Sequence, residues 1–129
     1  MTLLKVGVDC INILKVVHEN NLLHRDIKPE NFMLGDNWNN KGVIHIIDFG
    51  LATKWKDPET GVHRPAEEGV TACGTWRYDS IHSMKHTTTS RRDDMISFMY
   101  MLLYFARGGN LPWMGLQKQI AKNDGDSAA

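Results

Sequence analysis

The sequence has no excess of charge of either sign and no long apolar run. Lys and Arg together number 15, as do Asp and Glu, so the whole chain offers no electrostatic reason to bind nucleic acid or an anionic membrane. The longest uncharged apolar run covers residues 95–106, which is short of the ~20 residues that a membrane-spanning helix needs. We therefore expect neither nucleic acid nor a membrane among the partners of this chain.

Cysteine is also scarce. Cys10 and Cys73 lie far apart in the sequence and form no C-x-x-C motif, a pattern that favours two reduced thiols over a disulfide or a redox site. Residues 1–8 do not combine a basic stretch with a long apolar core, so no secretory signal peptide is predicted. Together these features favour a location in the cytoplasm, the nucleus or both.

What is present suits one globular domain, because 42% of the 129 residues are hydrophobic and 23% are charged. Residues 2–19 carry apolar side chains at spacings of three and four, around almost the whole circumference. That pattern predicts a mostly buried helix, with a stop at Asn20-Asn21. A second, almost wholly apolar and buried helix is predicted from a capping box formed by Ser90 and Asp93 to about Arg107.

Short strands and a long irregular segment are predicted between the two helices. Residues 32–34 and 43–47 are compact apolar runs on either side of an Asn-, Asp- and Gly-rich loop, the pattern of a small hairpin. Residues 51–86 show no sustained period, and an irregular segment of this length is usually functional. Residues 117–129 turn polar, which predicts a disordered tail. The predicted fold class is α+β, mainly α, with a partial domain over residues 1–116.

The most informative motif lies at residues 24–31, where the sequence reads H-R-D-I-K-P-E-N. Asp26 can accept the proton of an attacking hydroxyl group, or aim that hydroxyl. Lys28 follows two residues along a loop and can place an ammonium group beside the same site. Positioning and charge neutralisation are the main needs of phosphoryl transfer. The motif therefore indicates movement of a phosphoryl group from a nucleotide to a hydroxyl.

The predicted hairpin brings two candidate metal ligands together. Asn31 stands just before its first strand and Asp48 just after its second, so both side chains are expected at one end of the ribbon. An amide oxygen and a carboxylate are hard ligands suited to Mg²⁺. Gly50 completes a D-F-G motif and lets the backbone turn sharply after the metal ligand.

These motifs, with several further segments, carry a family resemblance. From about Leu3 to Leu116 the sequence resembles the C-terminal lobe of a eukaryotic protein kinase, and most closely the casein kinase I family. The H-R-D-x-K wording is the serine/threonine-kinase form. The Ser-Ile-His at residues 80–82 stands where other kinases carry Ala-Pro-Glu and casein kinase I proteins carry Ser-Ile-Asn. The other matching segments are residues 46–52, 57–61, 90–94 and 111–116.

The resemblance implies a reaction and a role for each motif residue. The implied reaction transfers the γ-phosphoryl group of ATP to a Ser or Thr of a protein substrate, with Mg²⁺ as the metal. Asp26 is then the catalytic aspartate and Lys28 the phosphate-facing lysine. Thr75 is implied to form a hydrogen bond near both of them. The implied metal ligands are Asn31 and Asp48.

Three further residues have roles that the resemblance implies. Asp94 braces the backbone of the catalytic loop from the buried helix. Arg77 contributes to an anion pocket that, in the family, favours acidic or already phosphorylated substrates. The residue at Arg25 contacts an activation-loop phosphate in many kinases. The casein kinase I family is similar to those kinases that work without this phosphate.

Five positions depart from the family's pattern. The family is basic around Glu67 and Val70, carries Ala at Trp76 and Asp79, and carries Gly at Met99. The Asp79 carboxylate opposes an anionic substrate by Coulomb repulsion, which exposure and salt weaken. The sequence therefore argues against the acidic-substrate preference more than against phosphoryl transfer.

The N-terminal lobe of a kinase has no counterpart in these residues. That lobe supplies a Gly-rich loop over ATP, a strand lysine and a helix glutamate. We expect a truncated lobe with little or no activity of its own, whose two helices expose apolar patches. The alternative is an inactive binding or scaffold module that docks on another kinase lobe or on kinase substrates. A small-molecule phosphotransferase is disfavoured, because Lys28 and the Ser-Ile-His segment are protein-kinase features.

Overall fold

The computed structural model describes residues 2–36, 39 and 42–116, so the predicted tail at residues 117–129 lies outside the described residues. In the described part of the chain, no helix is long and apolar enough to cross a membrane. Short 3₁₀ turns occur at Pro29–Asn31 and Trp76–Tyr78. The helices and strands, in chain order, are α1 (Leu3–Glu19), β1 (Leu22–Leu23), β2 (Phe32–Leu34), β3 (Ile44–Ile46), β4 (Thr53–Lys54), α2 (Ile81–Met84) and α3 (Arg91–Ala106).

The ends of the two long helices agree with the sequence prediction. At the start of α1, the Lys5 N–H donates to the Thr2 hydroxyl at 3.3 Å, the usual N-cap arrangement. The helix is followed by Asn20 as its C-cap. At the start of α3, the Ser90 N–H donates to the Asp93 carboxylate at 2.7 Å, which confirms the predicted capping box.

The hydrophobic core lies where α1 packs against α3. Leu14 on α1 and Phe98 on α3 are completely buried, and burying a side chain of this size contributes roughly 1.5–3 kcal/mol. Ile27 also belongs to this core, so the loop at residues 24–31 is anchored directly in it. The buried members of the core are Cys10, Leu14, Ile27, Tyr78, Phe98, Met101 and Leu111.

The four short strands form two antiparallel pairs. β2 pairs with β3, with Phe32 opposite Ile46, which confirms the predicted hairpin. β1 pairs with β4, with Leu23 opposite Thr53. The second pair was not predicted from the sequence, and it joins the residues before the H-R-D motif to the residues after D-F-G.

Both long helices are less buried than the sequence predicts. On α1, Leu4 is 83% exposed and Val8 is 58% exposed. On α3, Met99 is 56% exposed. The apolar pattern does not reveal how many other segments pack against a helix. In the described part of the chain, the neighbouring segments cover only part of each helix. The prediction of mostly buried helices is therefore wrong, whereas the expected exposed apolar patches are confirmed.

The irregular segment predicted at residues 51–86 is confirmed over most of its length, and its end is fastened to α3. The Ser80 hydroxyl donates to an Asp93 carboxylate oxygen at 2.6 Å. The His82 Nδ1 lies 3.0 Å from the same oxygen. Asp93 is itself buried. Ser80 and His82 therefore tie α2 to the first turn of α3.

Both cysteines are free thiols, as predicted. Burial, and then the nearby charge of Asp9, raise the pKa of the Cys10 thiol to about 11. Cys10 therefore stays protonated at neutral pH and packs as a small apolar side chain.

Replacement of the buried aromatic ring on α3 tests this core. We expect Phe98→Ala to lower the free energy of unfolding by about 3–5 kcal/mol, because it leaves a cavity at a fully buried position. The neighbouring Met99→Ala is the matched control and should cost less than about 1 kcal/mol, since Met99 is largely exposed. Urea denaturation followed by circular dichroism measures both. Equal losses in the two variants would contradict this description of the core.

Candidate active site

Three of the predicted catalytic residues form one compact cluster. The Thr75 hydroxyl donates to Asp26 Oδ1 at 2.9 Å. The Lys28 ammonium donates to Thr75 Oγ1 at 3.0 Å and lies 3.5 Å from Asp26 Oδ2. Because a hydroxyl has one hydrogen, these contacts fix the rotation of the Thr75 hydroxyl: it donates to the carboxylate and accepts from the ammonium.

Asn31 is held against the same carboxylate. Its side-chain nitrogen donates to the Asp26 backbone carbonyl at 2.8 Å and to Asp26 Oδ2 at 3.3 Å. Asn31 is also buried, so its orientation is fixed. With its nitrogen turned toward Asp26, the amide oxygen is the atom left to meet a cation, which is the role predicted for it.

The hairpin brings the second predicted metal ligand to the same end of the ribbon. The Ile47 N–H donates to the Asn31 carbonyl at 2.9 Å, so Asp48 follows directly after a backbone contact with Asn31. Asp48 has a φ of 61° and is exposed. The Gly50 N–H donates to Asp48 Oδ1 at 3.2 Å, which orients the carboxylate.

The donor set at this end suits Mg²⁺. Among the described residues, no three His, Cys, Asp or Glu side chains are grouped closely enough to hold a metal ion. Mg²⁺ is commonly held by one or two carboxylates, with substrate phosphates and water as its other ligands. One carboxylate from Asp48 and one amide oxygen from Asn31 fit that arrangement.

His24 links the catalytic loop to the residue before Asp48, a role not predicted from the sequence. The Asp26 N–H donates to His24 Nδ1 at 3.1 Å, and His24 Nε2 lies 2.9 Å from the Ile47 carbonyl. Since Nδ1 accepts, Nε2 must carry the hydrogen. The Phe49 ring packs edge-on against the imidazole, with ring centroids 5.0 Å apart.

Asp94 braces the catalytic loop, as the resemblance implies. Its two carboxylate oxygens accept hydrogen bonds from the backbone N–H groups of His24 and Arg25, each at 2.9 Å. His18 Nε2 lies 2.9 Å from one of the same oxygens. Because Asp94 is buried on α3, the loop is tied to the helical core through charge-assisted hydrogen bonds.

Arg25 turns away from the cluster and lines a cavity of about 320 Å³ together with Arg64. Its backbone has a φ of 67°, and its Nε donates to the Leu51 carbonyl at 2.6 Å. Burial, and then the charge of Arg25, lower the pKa of Arg64. Arg64 was not singled out from the sequence, because a lone Arg in an irregular segment is usually a surface residue.

Arg77, the predicted anion-pocket residue, is exposed and does not line that cavity. Its backbone carbonyl accepts a hydrogen bond from the Trp113 indole at 2.7 Å. The contact fixes the backbone of the turn that follows Thr75, while the guanidinium group remains at the surface. The substrate role of Arg77 stays a prediction.

Gly74 is required where the turn meets the catalytic loop. Its φ is +100°, and a Cβ at this position would lie 2.7 Å from the Arg25 carbonyl oxygen. Gly74→Ala should therefore lower the free energy of unfolding by about 3 kcal/mol or more, through backbone strain and this contact. Gly61→Ala is the matched control, because Gly61 has a φ of +70° and no heavy atom within 4 Å of its Cβ position.

The control should cost only the backbone strain, roughly 1–2 kcal/mol. Chemical denaturation of the two variants measures the difference. If Gly74→Ala were no more destabilising than Gly61→Ala, the close approach to the catalytic loop would be wrong.

Loss of the Asp94 brace should release the catalytic loop. We expect Asp94→Ala to lower the free energy of unfolding by roughly 2–5 kcal/mol, because two backbone N–H groups lose their acceptors. Amide hydrogen exchange at His24 and Arg25 should accelerate. Asp9→Ala is the control, since Asp9 pairs with Lys5 at the surface of α1, and it should change stability by less than about 1 kcal/mol. Unchanged exchange at the two loop amides would rule out the brace.

Comparisons with known proteins identify sequences that this chain resembles. Residues 5–128 match the family model described as protein kinase domain. The chain is 40% identical to Casein kinase I homolog RAG8 of Kluyveromyces lactis over 90% of its own length and 22% of that protein. It is 41% identical to Casein kinase I homolog 3 of Schizosaccharomyces pombe over 94% of its own length and 28% of that protein.

It is also 42% identical to Casein kinase I homolog 1 of Saccharomyces cerevisiae, over 90% of the chain and 22% of that protein. The chain therefore spans about a quarter of the length of these relatives. The family match covers nearly all of the chain, and it includes every residue of the cluster around Asp26. The chain belongs to the protein kinase family and, by its similarity to these relatives, to casein kinase I within it.

Proposed function

We propose that this chain provides the catalytic-loop and metal-ligand part of a serine/threonine protein kinase. The reaction is transfer of the ATP γ-phosphoryl group to a Ser or Thr of a protein substrate. The observation that carries the proposal is the cluster in which Thr75, Lys28 and Asn31 all contact the Asp26 carboxylate. Such a cluster positions a carboxylate and a cation together, which is what phosphoryl transfer requires.

Each side chain has a separate task in this proposal. Asp26 orients the substrate hydroxyl and accepts its proton, while Thr75 holds the carboxylate in place. Lys28 places positive charge where the transferred group is negative. Asn31 and Asp48 would hold the metal through their oxygens. When bound, ATP with Mg²⁺ supplies the phosphoryl group and the cation that offsets its charge.

The proposal also assigns the complete active site to two lobes. We propose that residues 1–116 form part of the C-terminal lobe and that the nucleotide is gripped by an N-terminal lobe. The 129 residues contain no Gly-rich phosphate loop, so we expect this chain alone to transfer little or no phosphate. We further propose a cytoplasmic or nuclear protein whose partners are protein substrates.

A chimeric kinase tests this function directly. The segment of Casein kinase I homolog 3 that aligns with this chain is replaced by the chain, which leaves that kinase's own N-terminal lobe in place. We expect Mg²⁺-dependent phosphorylation of Ser/Thr peptides. Asp26→Asn should lower kcat at least ~100-fold, because the positioned carboxylate is lost.

Asp36→Asn is the matched control and should leave kcat unchanged, since Asp36 is an exposed residue in the hairpin loop. The unmodified 129-residue chain is assayed in parallel. A folded chimera that binds ATP but transfers no phosphate would contradict the proposal, as would full activity in Asp26→Asn.

The second candidate function is a binding or scaffold module. It is favoured by an apolar groove of about 140 Å³ lined by residues of α1, the hairpin and α3, together with the exposed side chains of Leu4 and Val8. Apolar surface of this kind commonly marks an interaction site, and another kinase lobe is the partner that the family suggests.

Cellular complementation separates the two candidates. If catalysis is the function, Asp26→Asn should abolish the phenotype while binding to partners survives. If binding is the function, Asp26→Asn should be tolerated and Leu34→Asp, which places a charge in the groove, should abolish it.

A further inference from the structure

Asp79 places a carboxyl group at the contact between the catalytic loop and the turn that carries Thr75. Its Oδ1 lies 2.8 Å from the Cβ position of Gly74, and the Arg25 carbonyl oxygen lies 2.7 Å from the same position. The Asp79 side chain is half-buried. It therefore lies beside the Gly74 backbone and close to the Arg25 carbonyl, where the turn that leads into Thr75 meets the residue before Asp26.

The charged groups around Asp79 are mostly carboxylates. A small cavity of about 20 Å³ separates it from the start of α3, where two buried carboxylates are already engaged with Ser80 and the loop amides. Among the described residues that line this cavity, Arg25 is the one cation, and its Nε donates to the Leu51 carbonyl. The titratable and charged groups that face Asp79 from the neighbouring elements are Asp26, Arg25, Cys73, Asp93 and Asp94.

Two physical effects disfavour the charged form of this carboxyl group. Burial, and next the negative charge of Asp26, raise the pKa of Asp79 to about 6. An ordinary Asp titrates near 4. Asp79 therefore changes charge at mildly acidic pH, in contact with a loop whose central residue is also a carboxylate.

We propose that Asp79 is a positioning residue coupled to Asp26 by charge repulsion across the Gly74–Thr75 turn, and that loss of its charge tightens the Asp26–Thr75–Lys28 cluster. The role of Asp26 in this inference rests on the proposed function. Within the cluster, the negative charge of the Asp26 carboxylate is offset by the Lys28 ammonium. A second negative charge at Asp79 repels the Asp26 carboxylate and disturbs this pairing.

The sign of the pH effect follows from the raised pKa. Protons bind more tightly to Asp79 in the folded state than in the unfolded state, so protonation stabilises the fold. This contribution is fully present below about pH 4 and is lost as pH rises through about 6. Asp79→Asn should remove this contribution to the pH dependence of stability. His18 and His82 contact the neighbouring carboxylates. Because both histidines are present in the variant and in the unmodified chain, the difference between the two proteins reports on Asp79.

The coupling is measured by titration of the Asp79 side-chain carboxyl carbon in the full chain by NMR. We expect a midpoint near 6 in the unmodified protein. Asp26→Asn should move this midpoint to lower pH by roughly half a unit, because a like charge is removed. Asp9→Asn, on the exposed face of α1, is the matched control and should leave it in place.

The positioning role is measured by amide hydrogen exchange at Arg25 and Asp26, corrected for the intrinsic pH dependence of exchange. In the unmodified chain, protection should rise several-fold between pH 7.5 and 5.5. In Asp79→Asn, protection should already be high at pH 7.5 and change little. Asp79→Ala, which also lacks the carboxyl group, should behave as Asp79→Asn does and guards against a folding defect in either variant.

An Asp79 midpoint near 4, or a midpoint unaffected by Asp26→Asn, would overturn the inference. So would the same pH dependence of protection in Asp79→Asn and in the unmodified chain. Neither readout uses a nucleotide or a substrate. Failure of the chimeric kinase assay would therefore leave this inference standing, and failure of the coupling would leave the proposed phosphoryl transfer standing.

Discussion

The buried carboxylate of Asp94 is the contact on which the site depends. It accepts from two successive backbone N–H groups of the catalytic loop, and it does so from the first turn of a helix whose later residues form the core. Without such an acceptor, one buried and one partly buried N–H group of the loop would lose their partner. The loop geometry, and with it the position of Asp26, is therefore fixed by the packing of α1 against α3.

The site also contains backbone conformations that isolated residues avoid. Arg25 and Asp48 both have positive φ values, each at a cost of roughly 1–3 kcal/mol. The hydrogen bonds around them compensate, since the Arg25 N–H is held by Asp94 and the Asp48 carboxylate is held by the Gly50 N–H. Strain of this kind is common at functional sites, and here it occurs on both sides of the Asp26 cluster.

Sequence reasoning succeeded where local signals carry the information. The capping box at Ser90, the helix stop at Asn20 and the hairpin before Asp48 depend on neighbours in the chain, and all three are present. It overestimated the burial of the helices, because an apolar pattern does not reveal how many partners a helix has. It also missed the bridging role of His24, whose contacts join segments 23 residues apart.

The sequence by itself determined the family and the identity of the residues around the transferred group, because H-R-D-x-K-x-x-N and D-F-G prescribe residue types at fixed spacing. Only the tertiary structure decided which of them meet. Thr75 lies 49 residues from Asp26 and reaches it through the irregular segment. Asp79 likewise gains its raised pKa from burial and from Asp26. Burial and the proximity of charges on distant segments exist only once the chain has folded, so they cannot be read from a local sequence pattern.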